Sequence, residues 1–409
     1  MTSRFSSLSR DQLATLVPEL LLIGQLIDRS GMGWCIKPFG HPGMLEIAIE
    51  EWMGASPVYT KRMQKALKYE GVDVITIFKG LQIDIGAPPQ FMDFRYTVHD
   101  RWHGEFHLDH CGALLDVEPM GEEYVRGMCH DIEDPTFDAT AVATNRRAQI
   151  RPIHRPPRAP ADRHPHCAWT VIIDESYPEV EDHPVLDVIR RTRAATTELD
   201  PIDPSGDGQS DYSGELLSDL DFAAFSHSAL VRMADEICLQ MHLLNLSFII
   251  AVGKRAGTDT ELANKICTNQ LTGIAGIAAE RIHQALGLPG GIEGAVRTLE
   301  LHPMFNPAAY VTAEFGQDSV HLHRSPAHED GAWVALTGPS STRPLQAAVA
   351  AIDAHLDIEV TGTDDDWTAR VFETETAAKE LPEVSVVRVS GGSTFVFQPR
   401  RSLPLTVIS

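Results

Sequence analysis

Apolar residues recur at three- and four-residue spacing along the first part of the chain, which predicts amphipathic helices. Strict alternation of apolar and polar residues follows, interrupted by one more helical segment, and predicts strands. The helices are predicted at about residues 11–29, 42–53, 57–69, 72–83 and 121–133. The strands are predicted near residues 93–99, 104–115, 147–155 and 166–173. This order is typical of an α+β fold, in which a helical lead-in precedes a mainly antiparallel sheet with a packed helix.

A second copy of this layout follows in the other half of the chain. Glu19–Leu26 opens the first apolar helical stretch, and the similar segment Glu236–Leu243 opens another. Likewise, the strand-like segment Glu105–Cys111 is similar to Ser319–Ser325 at nearly the same offset. Equal spacing between similar segments indicates an internal duplication.

We therefore predict two tandem homologous domains, residues 1–173 and 226–409, the second a degenerate copy without the cysteine and histidine chemistry of the first. Residues 174–225 are predicted to be a flexible acidic linker, because 14 acidic side chains and only three arginines lie between residues 174 and 221. A fused repeat supplies an internal pseudo-twofold partner, so we expect the second copy to act as a scaffold. A homodimer of the whole chain is compatible with this arrangement.

Charge and composition narrow the classes of function. The net charge of −23 repels phosphate backbones and anionic lipids, so nucleic acid and membrane surfaces are not expected partners. Six cysteines in 409 residues are too few for a disulfide scaffold. The first apolar run is interrupted by Pro18 and Glu19, unlike a secretory signal. We expect a cytoplasmic protein with reduced thiols that acts on a small molecule.

Histidine and cysteine are concentrated in the first half. On the strand at 105–111, the two-residue period predicts that Cys111 shares a face with His107 and Asp109. In the next helix, Cys129 lies on the apolar stripe, and Glu133 follows one turn later. A thiol beside histidine and carboxylate side chains is suited to nucleophilic or acid–base chemistry.

The last two predicted strands add two more soft ligands. His154 has the parity of the apolar residues in its strand, and Cys167 has the parity of Trp169 in the strand after it. Thiolates and imidazole together favour zinc, with iron as the alternative. The chain contains no CxxC pair, so a zinc ribbon is not indicated. The predicted metal ligands are Cys111, Cys129, His154 and Cys167.

The series Cys129, His154, Cys167 resembles the L-2-amino-thiazoline-4-carboxylic acid hydrolase family and the related 4-vinyl reductase domain, with histidine in place of one cysteine. The segment Ala48–Met53 is similar to the helical lead-in of the hydrolases. The resemblance covers about residues 15–173 and is weakly repeated from about 230 to 400. It implies a hydrolase that opens a small cyclic amide, amidine or related ring.

The sequence is compatible with two hypotheses about function. In the first, the chain is a metal-dependent hydrolase whose zinc keeps one position for water, with Glu133, His107 or Asp109 as general base and Cys111 as a nucleophile. In the second, Cys111 completes a closed, structural metal site, and the chain is a sensor-like protein that binds a small apolar or aromatic ligand.

Overall fold

A computed structural model describes residues 2–389 and 400–407 of the chain. The described part contains thirteen α-helices and eight β-strands. The helices are α1 (Arg10–Ala66), α2 (Val74–Leu81), α3 (Gly112–Val117), α4 (Glu122–Arg126), α5 (Glu133–Val142), α6 (Pro184–Ile189), α7 (Arg193–Thr196), α8 (His227–Ala256), α9 (Thr260–Leu286), α10 (Gly291–Leu301), α11 (Pro326–Asp330), α12 (Arg343–Ala350) and α13 (Pro382–Arg388). The strands are β1 (Met92–Val98), β2 (His103–Cys111), β3 (Ala148–His154), β4 (Cys167–Ile173), β5 (Ala313–Phe315), β6 (Ser319–Leu322), β7 (Leu356–Thr363) and β8 (Asp366–Glu373).

Helix α1 bends back on itself at Gly40. This residue has φ 71° and ψ 173°, a left-handed conformation outside the helical range that glycine adopts without steric cost. The Trp52 indole nitrogen donates a hydrogen bond of 3.4 Å to Asp28 Oδ1. These two residues would lie about 36 Å apart in a straight helix, because each residue adds about 1.5 Å. The arms at 10–39 and 41–66 therefore run side by side. The first arm stays helical up to residue 39, so the predicted break after residue 29 is wrong.

The first half forms a four-stranded antiparallel sheet in the order β1-β2-β4-β3. One face of this sheet is buried, as the alternating pattern predicts: Phe106, Leu108 and Trp169 are each at most 1% exposed. Helix α5 covers this face, where the Phe137 ring lies 5.4 Å from the Phe106 ring and 5.0 Å from the Trp169 ring. Aromatic packing of this kind anchors the helix on the sheet.

The second half contains another four-stranded antiparallel sheet, in the order β5-β6-β8-β7. Its strand order matches that of the first sheet when each half is numbered from its first strand. Two separate antiparallel sheets with packed helices confirm the α+β fold class. The duplication of two homologous domains stays a prediction, and residues 390–399 and 408–409 of the predicted second domain lie outside the described residues.

Helix α8 joins the two halves through contacts with α1. Arg62 forms a bidentate ion pair with Glu236, with N···O distances of 2.9 and 3.2 Å. Glu50 accepts hydrogen bonds from Lys254 and Arg255 at the other end of α8. Buried or half-buried pairs of this geometry fix the register of two packed helices.

The segment 174–225 differs from the predicted flexible linker. Its helix α6 packs so closely on α1 that a Cβ atom at Gly54 would lie 2.6 Å from a methyl group of Val185. Tyr212 is buried, its amide donates to Leu67 O at 2.8 Å, and its carbonyl accepts from the Lys79 ammonium at 2.9 Å. The acidic composition of the segment led to the prediction of a flexible linker, but a few of its apolar residues pack on the first half. The stretch Pro201–Ser210, in contrast, is mostly exposed.

Helix α8 is also long and apolar enough to cross a membrane, judged by length and composition alone. However, 83% of its most apolar window is buried inside the protein. A long, mainly apolar helix that other elements cover is typical of a protein core.

Gly24 allows close contact between α1 and the loop that carries Asp84. A Cβ atom at this position would lie 2.4 Å from a methyl group of Ile85. We expect Gly24→Ala to lower the free energy of unfolding by about 1–3 kcal/mol, because overpacking a core forces its neighbours to move. Urea denaturation checks this value.

Gly33→Ala is the matched control for this substitution. Gly33 is exposed on the same arm, and the nearest atom to an added Cβ, in Val386, lies at 3.8 Å. Alanine should there be neutral or stabilising by up to about 1 kcal/mol, because it is the better helix former. Equal destabilisation by both substitutions would show that contact with Ile85 is not the cause.

Candidate active site

A cavity of about 80 Å³ lies between the arms of α1, the loop after α2 and the buried face of the first sheet. Its wall combines apolar side chains such as Phe94 and Met128 with several ionisable ones. The ionisable side chains that line it are Asp28, Arg29, Tyr59, Asp84 and Glu133. Apolar walls with a few converging polar groups are typical of ligand sites, although this cavity reaches the usual size of such sites only together with a second, adjoining cavity.

Glu133 enters the cavity from the start of α5. It directly follows a π-helical turn, Gly127–Ile132, whose residues Met128 and Ile132 also line the cavity. Such π turns are rare and occur frequently at functional sites. Glu133 is only 7% exposed, and within the described part of the chain its Oε2 atom has no hydrogen-bond partner. Burial raises the pKa of this carboxyl group to about 8, so the neutral acid predominates at pH 7.

Asp84 reaches the same cavity from the loop after α2. Its Oδ1 atom accepts a hydrogen bond of 2.9 Å from the Tyr59 hydroxyl and one of 2.7 Å from the Gly86 amide. Burial raises the pKa of Asp84 to about 6, although both hydrogen bonds favour the ionised form. Gln240 of α8 holds this loop through bonds of 3.1 Å to the Ile85 amide and to the Ile83 carbonyl.

Asp28 and Arg29 form an ion pair at the centre of the first arm of α1. Asp28 is 1% exposed and also accepts the hydrogen bond from Trp52 of the second arm. The Arg29 Nε atom is buried, and among the described residues it has no hydrogen-bond partner. Buried polar atoms are normally paired, so this unpaired donor is an exception to the usual pattern.

A second cavity of about 400 Å³ shares Arg29, Met128 and Ile132 with the first. Its wall is predominantly apolar and rich in methionine, whose flexible side chains adapt to different ligands. The other methionines that line it are Met32, Met44 and Met120. The two cavities together offer a small compartment with several ionisable side chains next to a larger one rich in methionine.

Three of the predicted ligands, Cys111, Cys129 and Cys167, lie beneath the sheet close to Glu133, and all three thiols interact electrostatically with that carboxyl group. Burial raises the pKa of each thiol, to about 12 for Cys111. The Cys111 sulfur also accepts the Leu114 amide at 3.4 Å as the cap of α3. Buried thiols that stay protonated are poor nucleophiles, so these surroundings do not favour the predicted role of Cys111.

His154 lies on the other face of the sheet. A β-bulge between Pro152 and His154 shifts the register, so His154 is opposite Ala168 and not opposite Cys167. A one-residue shift turns every following side chain to the opposite face, and sequence parity alone does not reveal it. The expectation that His154 points to the buried face is therefore wrong.

His107 and Asp109 also lie outside the cavity. They form an ion pair of 3.4 Å on the outer face of the first sheet, with side chains 39% and 46% exposed. Cys111 has their parity but is buried, because β2 ends at Cys111 and the chain turns there into α3. The register of β1 and β2 is also irregular at this end. The structure thus brings Glu133 into the cavity and keeps His107 and Asp109 away from it.

The predicted four-ligand zinc shell does not fit this arrangement. A tetrahedral shell requires all four donors around one ion at about 2.0–2.3 Å. His154 is separated from the cysteines by the sheet. Among the described residues, two sets of at least three donors lie within 4.8 Å of one another, and neither contains a cysteine.

Asp28, Asp84 and Tyr59 were not identified from the sequence. A signal for two of them exists: Asp28 directly follows the mainly apolar run 20–27, and Asp84 lies between Ile83 and Ile85. A single carboxylate within a buried apolar stretch is costly, and natural proteins retain one mainly for function.

Comparison of the chain with protein-family models, with curated proteins and with solved structures gave no match. The resemblance to the thiazoline-carboxylate hydrolases stays a prediction, and the candidate site stands on its geometry.

The buried Glu133 should make stability fall as pH rises. Its pKa is raised in the folded state, so its stabilising contribution is complete below the unfolded pKa of about 4.3 and is lost as pH rises through about 8. We expect Glu133→Gln to be more stable than the unmodified chain at pH 9 by a few kcal/mol, since one pKa unit corresponds to about 1.4 kcal/mol. Urea denaturation at pH 5, 7 and 9 measures this difference.

Asp131→Asn serves as the control, because Asp131 is exposed two residues away. It should leave the pH dependence unchanged. A Glu133→Gln chain with the same pH dependence as the unmodified protein would contradict the burial of an unpaired carboxyl group.

Proposed function

We propose that the chain is a hydrolase that opens a small ring compound by general acid and base catalysis with two carboxyl groups. The observation that carries this proposal is that Glu133 and Asp84 line the same small cavity beneath the first sheet. Carboxyl groups whose surroundings give them different pKa values are suited to opposite roles in proton transfer.

Glu133 acts as the general acid in this proposal, and Asp84 acts as the general base. With a pKa of about 8, Glu133 carries its proton at neutral pH. With a pKa of about 6, Asp84 is mostly ionised at the same pH. The Tyr59 hydroxyl and the Gly86 amide hold one oxygen of Asp84 in a fixed position. Catalytic groups are most effective when their pKa lies near the working pH.

The proposed step consumes one water molecule. Asp84 removes a proton from water while the water oxygen bonds to the electrophilic ring carbon. The bond between that carbon and its ring heteroatom then breaks, and Glu133 gives its proton to the leaving heteroatom. The protons return to their starting positions through solvent, so the step needs no oxidant or reductant.

The adjoining cavity supports a substrate with two unlike parts. The reacting ring occupies the small compartment beside the two carboxyl groups, and an apolar substituent extends past Met128 and Ile132 into the larger compartment. Arg29 lines both compartments, which places this cationic side chain beside the bound substrate. This arrangement keeps the hydrolase class expected from the sequence but assigns its chemistry to carboxyl groups instead of zinc.

A second candidate function is capture of a small apolar ligand without turnover. The methionine-rich cavity of about 400 Å³ favours it, since that volume falls within the usual range for ligand sites. In this case the buried carboxyl groups serve only to orient the ligand.

A kinetic test uses 2-amino-2-thiazoline-4-carboxylate, hydantoin and dihydrouracil as ring substrates. We expect the unmodified chain to open at least one of them, with a bell-shaped pH profile of kcat/KM. Activity should rise through about pH 6 as Asp84 ionises and fall above about pH 8 as Glu133 loses its proton. Glu133→Gln and Asp84→Asn should each lower kcat by about 10²–10⁴-fold.

Asp131→Asn is again the matched control and should retain full activity. The assigned roles are overturned if Glu133→Gln leaves kcat unchanged. They are also overturned if neither variant loses one side of the bell-shaped pH profile. Calorimetric binding of the same compounds without ring opening would favour the second candidate function.

A further inference from the structure

The outer face of the second sheet carries a cluster of histidine and carboxylate side chains remote from the candidate active site. His321 lies in β6, and His323 directly follows the end of this strand. Asp366 begins the neighbouring strand β8. Residues two apart on a strand point to the same face, so the two imidazoles are side by side, with ring centres 4.1 Å apart. Leu322 is paired with Trp367, which brings Asp366 next to His323.

The donor atoms of this cluster already have the spacing of a metal shell. His321 Nε2 lies 3.0 Å from Asp366 Oδ1, and His323 Nδ1 lies 3.3 Å from Asp366 Oδ2. Two donors around a tetrahedral zinc ion lie about 3.4 Å apart when each bond is about 2.0–2.1 Å long. One donor atom from each of the three residues lies within 4.8 Å of the others.

A fourth side chain completes the arrangement from strand β5. Glu314 Oε1 lies 3.6 Å from His323 Nε2, on the side of the ring away from Asp366. Histidines that bind a metal through one ring nitrogen usually direct the other toward a carboxylate, which orients the ring and raises its basicity. Glu314 stands where such a carboxylate is needed once His323 binds through Nδ1.

We propose that His321, His323 and Asp366 form a binding site for a divalent transition-metal ion on the second sheet, with Glu314 as the carboxylate that orients His323. Two imidazoles and one carboxylate suit zinc and its first-row neighbours and do not favour magnesium or calcium. The three side chains are 33–55% exposed, so water fills the remaining coordination positions. This site would give the second half a chemistry that its sequence was not expected to retain.

The first sheet contains a comparable set, His99, His103 and Glu105, with 3.1 Å between His99 Nε2 and Glu105 Oε1. The second-sheet cluster is the stronger candidate because an additional carboxylate, Glu314, is placed to orient one of its ligands. The first-sheet set must nevertheless be counted separately when metal stoichiometry is measured.

The test is calorimetric titration of the full chain with Zn²⁺, followed by absorption spectroscopy with Co²⁺. We expect the double variant His321→Ala/His323→Ala to lose one equivalent of zinc and the corresponding Co²⁺ absorption bands. Asp366→Asn should weaken binding at this site at least tenfold. Glu314→Gln should keep the stoichiometry and weaken the affinity about 10- to 100-fold, as expected for a residue that orients a ligand.

His355→Ala is the matched control, because it removes an exposed imidazole whose ring bonds the Thr374 carbonyl near the same sheet. It should bind zinc as the unmodified chain does. Any zinc that remains in the double variant is assigned by adding His99→Ala. The proposal is overturned if the double variant, folded by circular dichroism, retains every equivalent at unchanged affinity, or if Asp366→Asn binds as tightly as the unmodified chain.

Discussion

The reversal of α1 at Gly40 is the constraint on which the candidate site depends. It turns one 57-residue helical segment into two arms that lie side by side, so that Trp52 reaches Asp28. The same turn places Asp28 and Arg29 of the first arm at the cavity that Tyr59 of the second arm also lines. In a straight helix these groups would be tens of ångströms apart. The positive φ of Gly40 thus brings ionisable groups of both arms to one compartment beneath the first sheet.

The groups in that compartment do not stabilise the fold when they are ionised. Burial opposes charge on Glu133 and Asp84, and one oxygen of Glu133 has no hydrogen-bond partner among the described residues. Buried polar groups without partners cost free energy that the surrounding apolar core must offset. A protein that keeps such groups beside a cavity has an arrangement typical of catalytic sites. Burial beside the shared cavity distinguishes the carboxyl groups of Glu133 and Asp84 from the exposed pair His107 and Asp109.

The sequence predicted regular elements well and their irregularities poorly. Alternation correctly identified the buried faces that carry Phe106 and Trp169, because the two-residue period of a strand is fixed by its backbone. It failed for His154, because a bulge shifts the register without any mark in the apolar pattern. Glu133, predicted as a general base, lines the cavity, but its burial favours the protonated form, which is an acid and not a base. Asp84 interrupts an apolar stretch, but the sequence pattern alone does not show that its loop lies at the cavity or that the distant Gln240 holds this loop.

That glutamine, Gln240, belongs to the second half of the chain and bonds both the Ile83 carbonyl and the Ile85 amide of the loop that carries Asp84. The base of the proposed reaction is therefore positioned by a residue more than 150 positions away in sequence. The two halves cannot be treated as independent modules, because the first alone would leave these backbone groups without their partner. Whatever origin the twin sheets have, gene fission or shuffling at residues 174–225 would separate the reacting group from the side chain that holds its loop in place.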